Sequence, residues 1–139
     1  MHNKQYEIIE RRPTVLEHKT LWEAVGWGNV NIDMTERSID NSVYAVVVIS
    51  DDQVVGMGRI VGDGAMYYYI QDVAVLPDYQ KLGIGQQIVD KLMQYIRLHC
   101  VGAGFVGLFA SQGEEPFYEK LGFKDYSPGM TGMFTVIEK

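Results

Sequence analysis

The 139-residue chain predicts an α+β domain whose mixed, mostly antiparallel central sheet is flanked by helices, and three observations predict it. Three apolar, β-branched runs, Val43–Ser50, Val54–Val61 and Met66–Val75, are separated only by the turn signals Asp51-Asp52-Gln53 and Gly62-Asp63-Gly64, which gives an antiparallel meander. From Gly83 to about His99, Ile84, Ile88, Val89, Leu92, Met93 and Ile96 recur at helical spacing, so one stripe of a long helix packs on that sheet. A further strand, Gly104–Ala110, follows this helix, and a strand-helix-strand unit returns most simply in parallel through a right-handed crossover.

The remaining elements fit around this frame. Gln5–Arg11 alternates enough for a first strand. Pro13-Thr14 opens a helix that runs to Val25, with Leu16, Thr20, Leu21 and Val25 as its inner face and Gly26 as its stop. The loop Gly26–Ile32 is rich in turn formers, and Asp33–Asp40 reads as a short second helix; together these pieces are a candidate substrate wall. Glu114–Leu121 is a short helix terminated by Gly122, and Thr131–Ile137 a final strand. No repeat, low-complexity run or linker divides residues 1–139, which read as one domain that buries roughly two-thirds of its unfolded surface.

Composition narrows the function. With 47% hydrophobic and 22% charged residues the chain is of the ordinary globular kind, and its net charge of −6 opposes nonspecific nucleic-acid binding while suiting a cationic partner such as an amine. A single cysteine, Cys100, leaves no internal disulfide and no multi-cysteine metal site, and points to a reducing compartment, the cytoplasm. No apolar run reaches signal-peptide length at the N-terminus or the ~18 residues of a membrane span, so no membrane partner is expected. His18 and His99 lie on helices without partner ligands at metal spacing, so they and Cys100 are read as structural and no metal is expected.

The densest chemistry lies between residues 72 and 86, where a strand ends in the turn Gln80-Lys81-Leu82-Gly83-Ile84-Gly85-Gln86 and runs into the long helix. A helix N-terminus carries unpaired N–H groups and about half a positive charge, and glycines let a ligand approach the main chain there. The alternative is that Gly83 and Gly85 only shape the turn. A dinucleotide fingerprint fails because Ile88 stands where its third glycine belongs, and no Gly-Lys-Ser or Gly-Lys-Thr supports a P-loop.

Gln80-x-x-Gly83-x-Gly85 after such a strand, followed by Phe117-Tyr118-Glu119-Lys120-Leu121-Gly122-Phe123, resembles the GNAT superfamily of acetyl-coenzyme A-dependent N-acetyltransferases. The resemblance covers most of the chain from Val43 onward and implies acetyl-CoA (acetyl-coenzyme A) bound between two splayed central strands of a GNAT-like fold. It implies that Val73, Ala74 and Val75 offer main-chain groups to the pantetheine arm, and that backbone N–H groups of Lys81, Leu82, Gly83, Ile84, Gly85 and Gln86 hold the pyrophosphate, with Gln80 opening the turn. Phe117 and Tyr118 fall at the cofactor too. Tyr118 matches a tyrosine that protonates the leaving thiolate, its phenol pKa near 10 suiting that task; the plainer reading makes Phe117, Tyr118 and Leu121 one packed face. Where relatives often keep an asparagine on the cofactor arm, this chain has Ser111 or Gln112, and Ser111 reads equally as a hydrogen-bond donor to that arm or as a helix cap.

The base departs from the pattern. A lysine-like amine is neutral about once in 10³ to 10⁴ molecules at pH 7, so reaching the nucleophile costs roughly 4–5 kcal/mol unless a group takes the proton. The strand positions that carry a glutamate or histidine in relatives hold Tyr69 and Gln71, which favours a water relay held by these two or a carboxylate from elsewhere. Asp72 is the nearest acid, but alternation points it to the opposite face unless a bulge re-aims it, so its expected role is bracing a neighbouring turn; Asp33 and Glu36 on the second helix could also reach the acceptor, and otherwise read as surface charges. Trp22, Trp27 and Tyr67-Tyr68-Tyr69 are candidates for an aromatic acceptor pocket or for core.

The reading is therefore direct acetyl transfer to an amine, with a small molecule as acceptor, Tyr118 as acid and no enzyme nucleophile. A non-catalytic acyl-CoA sensor or regulatory module is the alternative from another class, and a phosphate-ligand protein unrelated to acyl transfer a third. The resemblance also makes a homodimer an expectation.

Overall fold

The structure, a computed structural model, describes residues 5–139. Residues 1–4, part of the segment on which the absence of a leader was argued, lie outside the described residues. The order of elements is β1 (Glu7–Ile9), α1 (Val15–Ala24), α2 (Ile32–Asp40), β2 (Tyr44–Ser50), β3 (Gln53–Gly62), β4 (Tyr67–Val75), a 3-10 turn (Pro77–Tyr79), α3 (Ile84–His99), β5 (Phe105–Gly107) and α4 (Glu115–Lys120). The chain forms two compact units, Met1–Leu108 and Phe109–Lys139.

In the first unit the strands form one five-stranded sheet in sequence order. β1 through β4 pair antiparallel, the meander expected from the turn residues, and β5 returns parallel to β4 after α3. The sheet is therefore mixed and mostly antiparallel, as predicted. β1 and β5 are each three residues long, shorter than Gln5–Arg11 and Gly104–Ala110 suggested, because only Glu7–Ile9 and Phe105–Gly107 find ladder partners.

Helices cover the two faces. On one, α3 buries Ile84, Ile88, Val89, Leu92 and Ile96, each worth roughly 1.5–3 kcal/mol. Gly58 of β3 lies under this helix, and a methyl group there would collide with Ile88, so glycine sets how closely helix and sheet approach. On the other face Leu21 of α1 packs on Met57 of β3 and Ala74 of β4, with Val25, Val54 and Leu76 at its margin.

α1 ends as predicted, at Gly26 with φ +85°. The Gly26 N–H donates to Glu23 O and the Trp27 N–H to Trp22 O, a Schellman motif whose apolar contact is the edge-on pair Trp22–Trp27 at 5.1 Å. The second unit carries α4 with the same stop: Gly122 at φ +98°, its N–H donating to Glu119 O, and the Phe123 N–H donating to Tyr118 O. The expected final strand over Thr131–Ile137 is not formed. Its β-branched pattern is right, but a strand needs a ladder partner, and residues 131–139 pair with none among the described residues.

Candidate active site

β4 changes character along its length. Tyr67, Tyr68 and Tyr69 pair with Phe105, Val106 and Gly107, whereas from Ile70 to Val75 the outer edge of β4 has no strand beside it among the described residues. Where the pairing stops, the strand also bulges. Arg59 pairs with Gln71 and Met57 with Ala74, so Asp72 and Val73 together lie opposite the single residue Gly58. The extra residue is accommodated by Asp72 at φ +59°, in the left-handed region.

The bulge re-aims Asp72. Strict alternation would have set it on the face opposite Gln71; instead Gln71 and Asp72 share the α1 face with Arg59, and Val73 turns toward the α3 face near Gly58. Asp72 does not brace a turn but anchors a buried cluster. Its Oδ2 accepts from Arg59 Nε at 2.8 Å and from His18 Nε2 at 2.9 Å, and Gln71 Nε2 lies 3.4 Å from Oδ1. Since a carboxylate only accepts, His18 carries its proton on Nε2. Three further donors of the guanidinium go to Ser38 O, Ser38 Oγ and Ser42 Oγ at 2.9–3.1 Å. Burial pushes the Asp72 carboxyl up, but the His18 hydrogen bond and the Arg59 charge outweigh it and hold the carboxyl below its ordinary value. Removing one member of such a buried pair strands the other charge, at a cost of roughly 3–5 kcal/mol. His18, read from sequence as structural, is so, but through a buried hydrogen bond that spans 54 positions.

The aromatic candidates divide. Tyr68 is core, its hydroxyl donating to Gly64 O at 2.9 Å, and Tyr67 is exposed beside Phe105. Trp22 stacks on His18 at 5.3 Å with Trp27 against its edge, which makes a His-Trp-Trp group over the bulge cluster on the α1 side. Tyr69 and Gln71, both half-buried, lie on the same face, paired with Val61 and Arg59. Asp33 pairs with Arg37 on the exposed side of α2, as expected for a surface charge.

Beyond β4 the turn is built to leave its main chain exposed. Gln80 is a brace, its amide donating to Val75 O at 3.0 Å. Lys81 and Gly83 take positive φ of 65° and 85°, and nothing lies within 4 Å of where a Gly83 side chain would begin. Gly83 caps α3 without a side-chain hydrogen bond, and the first turn holds no acidic residue. The Gln87 N–H is satisfied by Gly83 O, which leaves those of Ile84, Gly85 and Gln86 as the helix's unpaired donors. Gly85 costs α3 about 0.5–1 kcal/mol relative to alanine, a small loss beside the buried stripe. Lys81, Leu82, Gly83 and Gln86 are exposed, while the Ile84 side chain is buried in the core and can offer a ligand only its backbone.

In the second unit Tyr118 occupies the middle of α4, half-buried, with Phe117 edge-on at 4.9 Å and Phe123 at 6.1 Å. The Schellman stop thus fixes the Tyr118 ring through Phe123. Burial, and then the charge of Glu114, push its phenol above the ordinary value of 10, so it keeps its proton. Ser111 does not cap α4: Glu114 is the cap residue, and only the Ser111 carbonyl is engaged, accepting from the Glu114 N–H at 2.9 Å. Among the described residues no group of three or more His, Cys, Asp or Glu is arranged to hold a metal ion.

Sequence and fold comparisons agree with this geometry. Residues 41–125, more than half of the chain, match the acetyltransferase (GNAT) domain family. The uncharacterised N-acetyltransferase ycf52 of Pyropia yezoensis is 30% identical over 133 residues, spanning 93% of this chain and 75% of that protein. GCN5-related N-acetyltransferase 2, chloroplastic, of Arabidopsis thaliana is 36% identical over 84 residues, 60% of this chain and 32% of that one. A probable acetyltransferase of unknown function from meticillin-resistant Staphylococcus aureus superposes with a TM-score of 0.90 at 28% identity, covering 96% of this chain and 100% of its own. The chain belongs to the GNAT family of acetyltransferases.

Proposed function

We propose that this protein transfers the acetyl group of acetyl-CoA directly to an amine, with a small molecule as acceptor. The observation that carries the reading is the conjunction, within one unit, of a bare α3 N-terminus and an unpaired, bulged β4 edge that leads into it. The two fit the two parts of such a donor: N–H groups of Ile84, Gly85 and Gln86 suit a pyrophosphate, and an open strand edge suits an extended amide-bearing arm. Val73, Ala74 and Val75 are the edge residues for that arm, and the Val75 carbonyl already carries the Gln80 bond. When bound, acetyl-CoA supplies the acetyl group as a thioester.

The chain's own residues then divide the work. Tyr118 Oη holds the proton that the leaving sulfur requires, and its raised pKa keeps that proton available through neutral pH. On the resemblance alone, Ser111 and Phe117 are further candidates for contact with the donor. Tyr69 and Gln71 hold the water that takes the amine proton, because the acid beside them, Asp72, is buried and held below its ordinary pKa by His18 and Arg59, which makes it a weak base. The charge of −6 favours a cationic acceptor. A reducing cytoplasm, a homodimer and the absence of a metal remain part of this proposal; the chloroplastic relative means that family membership does not carry the compartment.

Isothermal titration with acetyl-CoA, with ATP and NAD as controls, tests the donor. Selective binding is expected, and equal affinity for ATP would replace the reading with a phosphate-ligand protein. Thiol release is then measured with spermidine, kanamycin, lysine and a peptide N-terminus. Tyr118→Phe is expected to lower kcat by roughly 10²-fold at unchanged acetyl-CoA affinity. Binding without thiol release from any amine would leave a sensor of acyl-CoA, the role that the absent strand carboxylate favours.

A further inference from the structure

The bulge does more than open β4. It brings Gln71 and Asp72, neighbours in sequence, onto one face, with Gln71 Nε2 3.4 Å from Asp72 Oδ1. The contact is long, so it orients the amide more than it holds it. Orientation is still decided by chemistry: an ionised carboxylate has no donor, and an amide turned the other way would set Gln71 Oε1 against Asp72 Oδ1, acceptor against acceptor. The Gln71 amide therefore keeps its NH₂ toward Asp72 and its oxygen at the opposite end.

What makes the carboxylate a fixed reference is its other oxygen. Asp72 Oδ2 is held by His18 from α1 and by Arg59 from β3, and Arg59 is held in turn by Ser38 of α2 and by Ser42. Two helices, α1 through His18 and α2 through Ser38 and Arg59, thus bear on the carboxylate that faces Gln71. The side chains of His18, Arg59 and Asp72 are all buried, so solvent does not compete for these bonds.

We propose that Asp72, fixed by His18 and Arg59, is a positioning residue that sets the amide of Gln71, and that Gln71 Oε1 is the acceptor-side group that receives an N–H of the amine or the O–H of its relay water. The inference rests on the acetyl-transfer reading for its substrate, and it names what that reading left open. Recognition of the acceptor begins with a fixed hydrogen-bond acceptor rather than a strand carboxylate. It selects a nitrogen that carries hydrogen and disfavours a carboxylate at the same place.

The test uses the full-length protein and the panel amine with the highest thiol release. Gln71→Met is expected to raise KM for that amine about tenfold at unchanged acetyl-CoA affinity by titration. Asp72→Asn, whose amide can donate as well as accept, is expected to raise it in the same direction, and the double variant to match Gln71→Met alone. Effects that multiply in the double variant would overturn the proposal, because Asp72 would then act by support of the fold. A readout without turnover covers a variant that fails to fold. In ¹⁵N NMR of the wild-type protein, the Gln71 side-chain amide, assigned by its loss in Gln71→Met, should show one slowly exchanging proton. Exchange as fast as that of an exposed glutamine would sink the idea. If wild type does not bind acetyl-CoA, the acetyl-transfer reading fails, while the NMR result still judges the Asp72–Gln71 contact.

Discussion

The start of α1 and the start of α3 are built from parallel four-residue segments with opposite outcomes. α1 opens Thr14-Val-Leu-Glu17, a complete capping box: Thr14 Oγ1 accepts the Glu17 N–H at 3.1 Å and Glu17 Oε1 accepts the Thr14 N–H at 2.8 Å. Arg11 adds two hydrogen bonds to the same carboxylate. α3 opens Gly83-Ile-Gly-Gln86, with glycine where threonine caps α1 and a neutral amide in place of glutamate. α2 follows α1, Asn31 Oδ1 accepting the Met34 N–H at 3.0 Å. Within the first unit, the starts of α1 and α2 are satisfied by their own side chains and that of α3 is not. The bare start costs α3 local stability, and it leaves N–H donors free for the anion that the proposed donor would bring.

The largest effect should come from making α3 resemble α1. Gln86→Glu changes no volume and adds one negative charge in the first turn, where it can reach back to the Gly83 N–H as Glu17 reaches Thr14. Against a bare helix this stabilises by about 0.3–1 kcal/mol, while the carboxylate competes for the dipole and donors that a pyrophosphate would use. We expect acetyl-CoA affinity by titration to fall about tenfold or more while the melting temperature holds or rises. A variant that binds as wild type does would break the comparison, since the bare N-terminus would then not be the anion site.

The same two starts show what a sequence can disclose. The glycines at 83 and 85 and the apolar stripe from Ile84 to Ile96 are local signals, so the turn, the helix and its open end were legible, as were the meander and the stops at Gly26 and Gly122. The register of β4 was not. Gln71-Asp72-Val73 carries no glycine or proline to mark a bulge, and only pairing with Met57 and Arg59 reveals that one residue is extra. One unseen residue inverted the predicted facing of Asp72 and hid its bonds to Arg59, 13 positions away, and to His18, 54 away. Thr131–Ile137 erred the other way, its local pattern overstating a strand that depends on a partner.

A smaller effect sharpens the contrast from the α1 side. Thr14→Ala removes one half of the capping box and should cost about 1 kcal/mol of stability, read as a shift in the denaturant midpoint at unchanged slope. Acetyl-CoA affinity should not move, because nothing at the start of α1 belongs to the donor site. Cap removal at α1 and cap insertion at α3 are then opposite trades, one losing stability without binding, the other losing binding without stability.

The smallest effect is in the pH dependence of that same cap. Glu17 sits below its ordinary carboxyl pKa of 4.5, chiefly because Arg11 hydrogen-bonds its charged form, against a partial burial that acts the other way. A depressed pKa contributes stability that is fully present above the unfolded value and is lost as pH falls through the folded one. Melting curves of wild type and Glu17→Gln should therefore differ by a constant amount above about pH 5.5 and converge as the pH drops below 4.5. The Arg11–Glu17 pair is partly exposed, so the plateau difference should not exceed about 1 kcal/mol. α3 offers the internal control: its first turn holds no acidic residue, so the Gln86→Glu variant should acquire a similar acid-sensitive contribution that wild-type α3 lacks. A plateau that persists unchanged to pH 3 would mean that Glu17 acts through packing rather than charge, and the contrast between the two helix starts would then be one of shape and not of electrostatics.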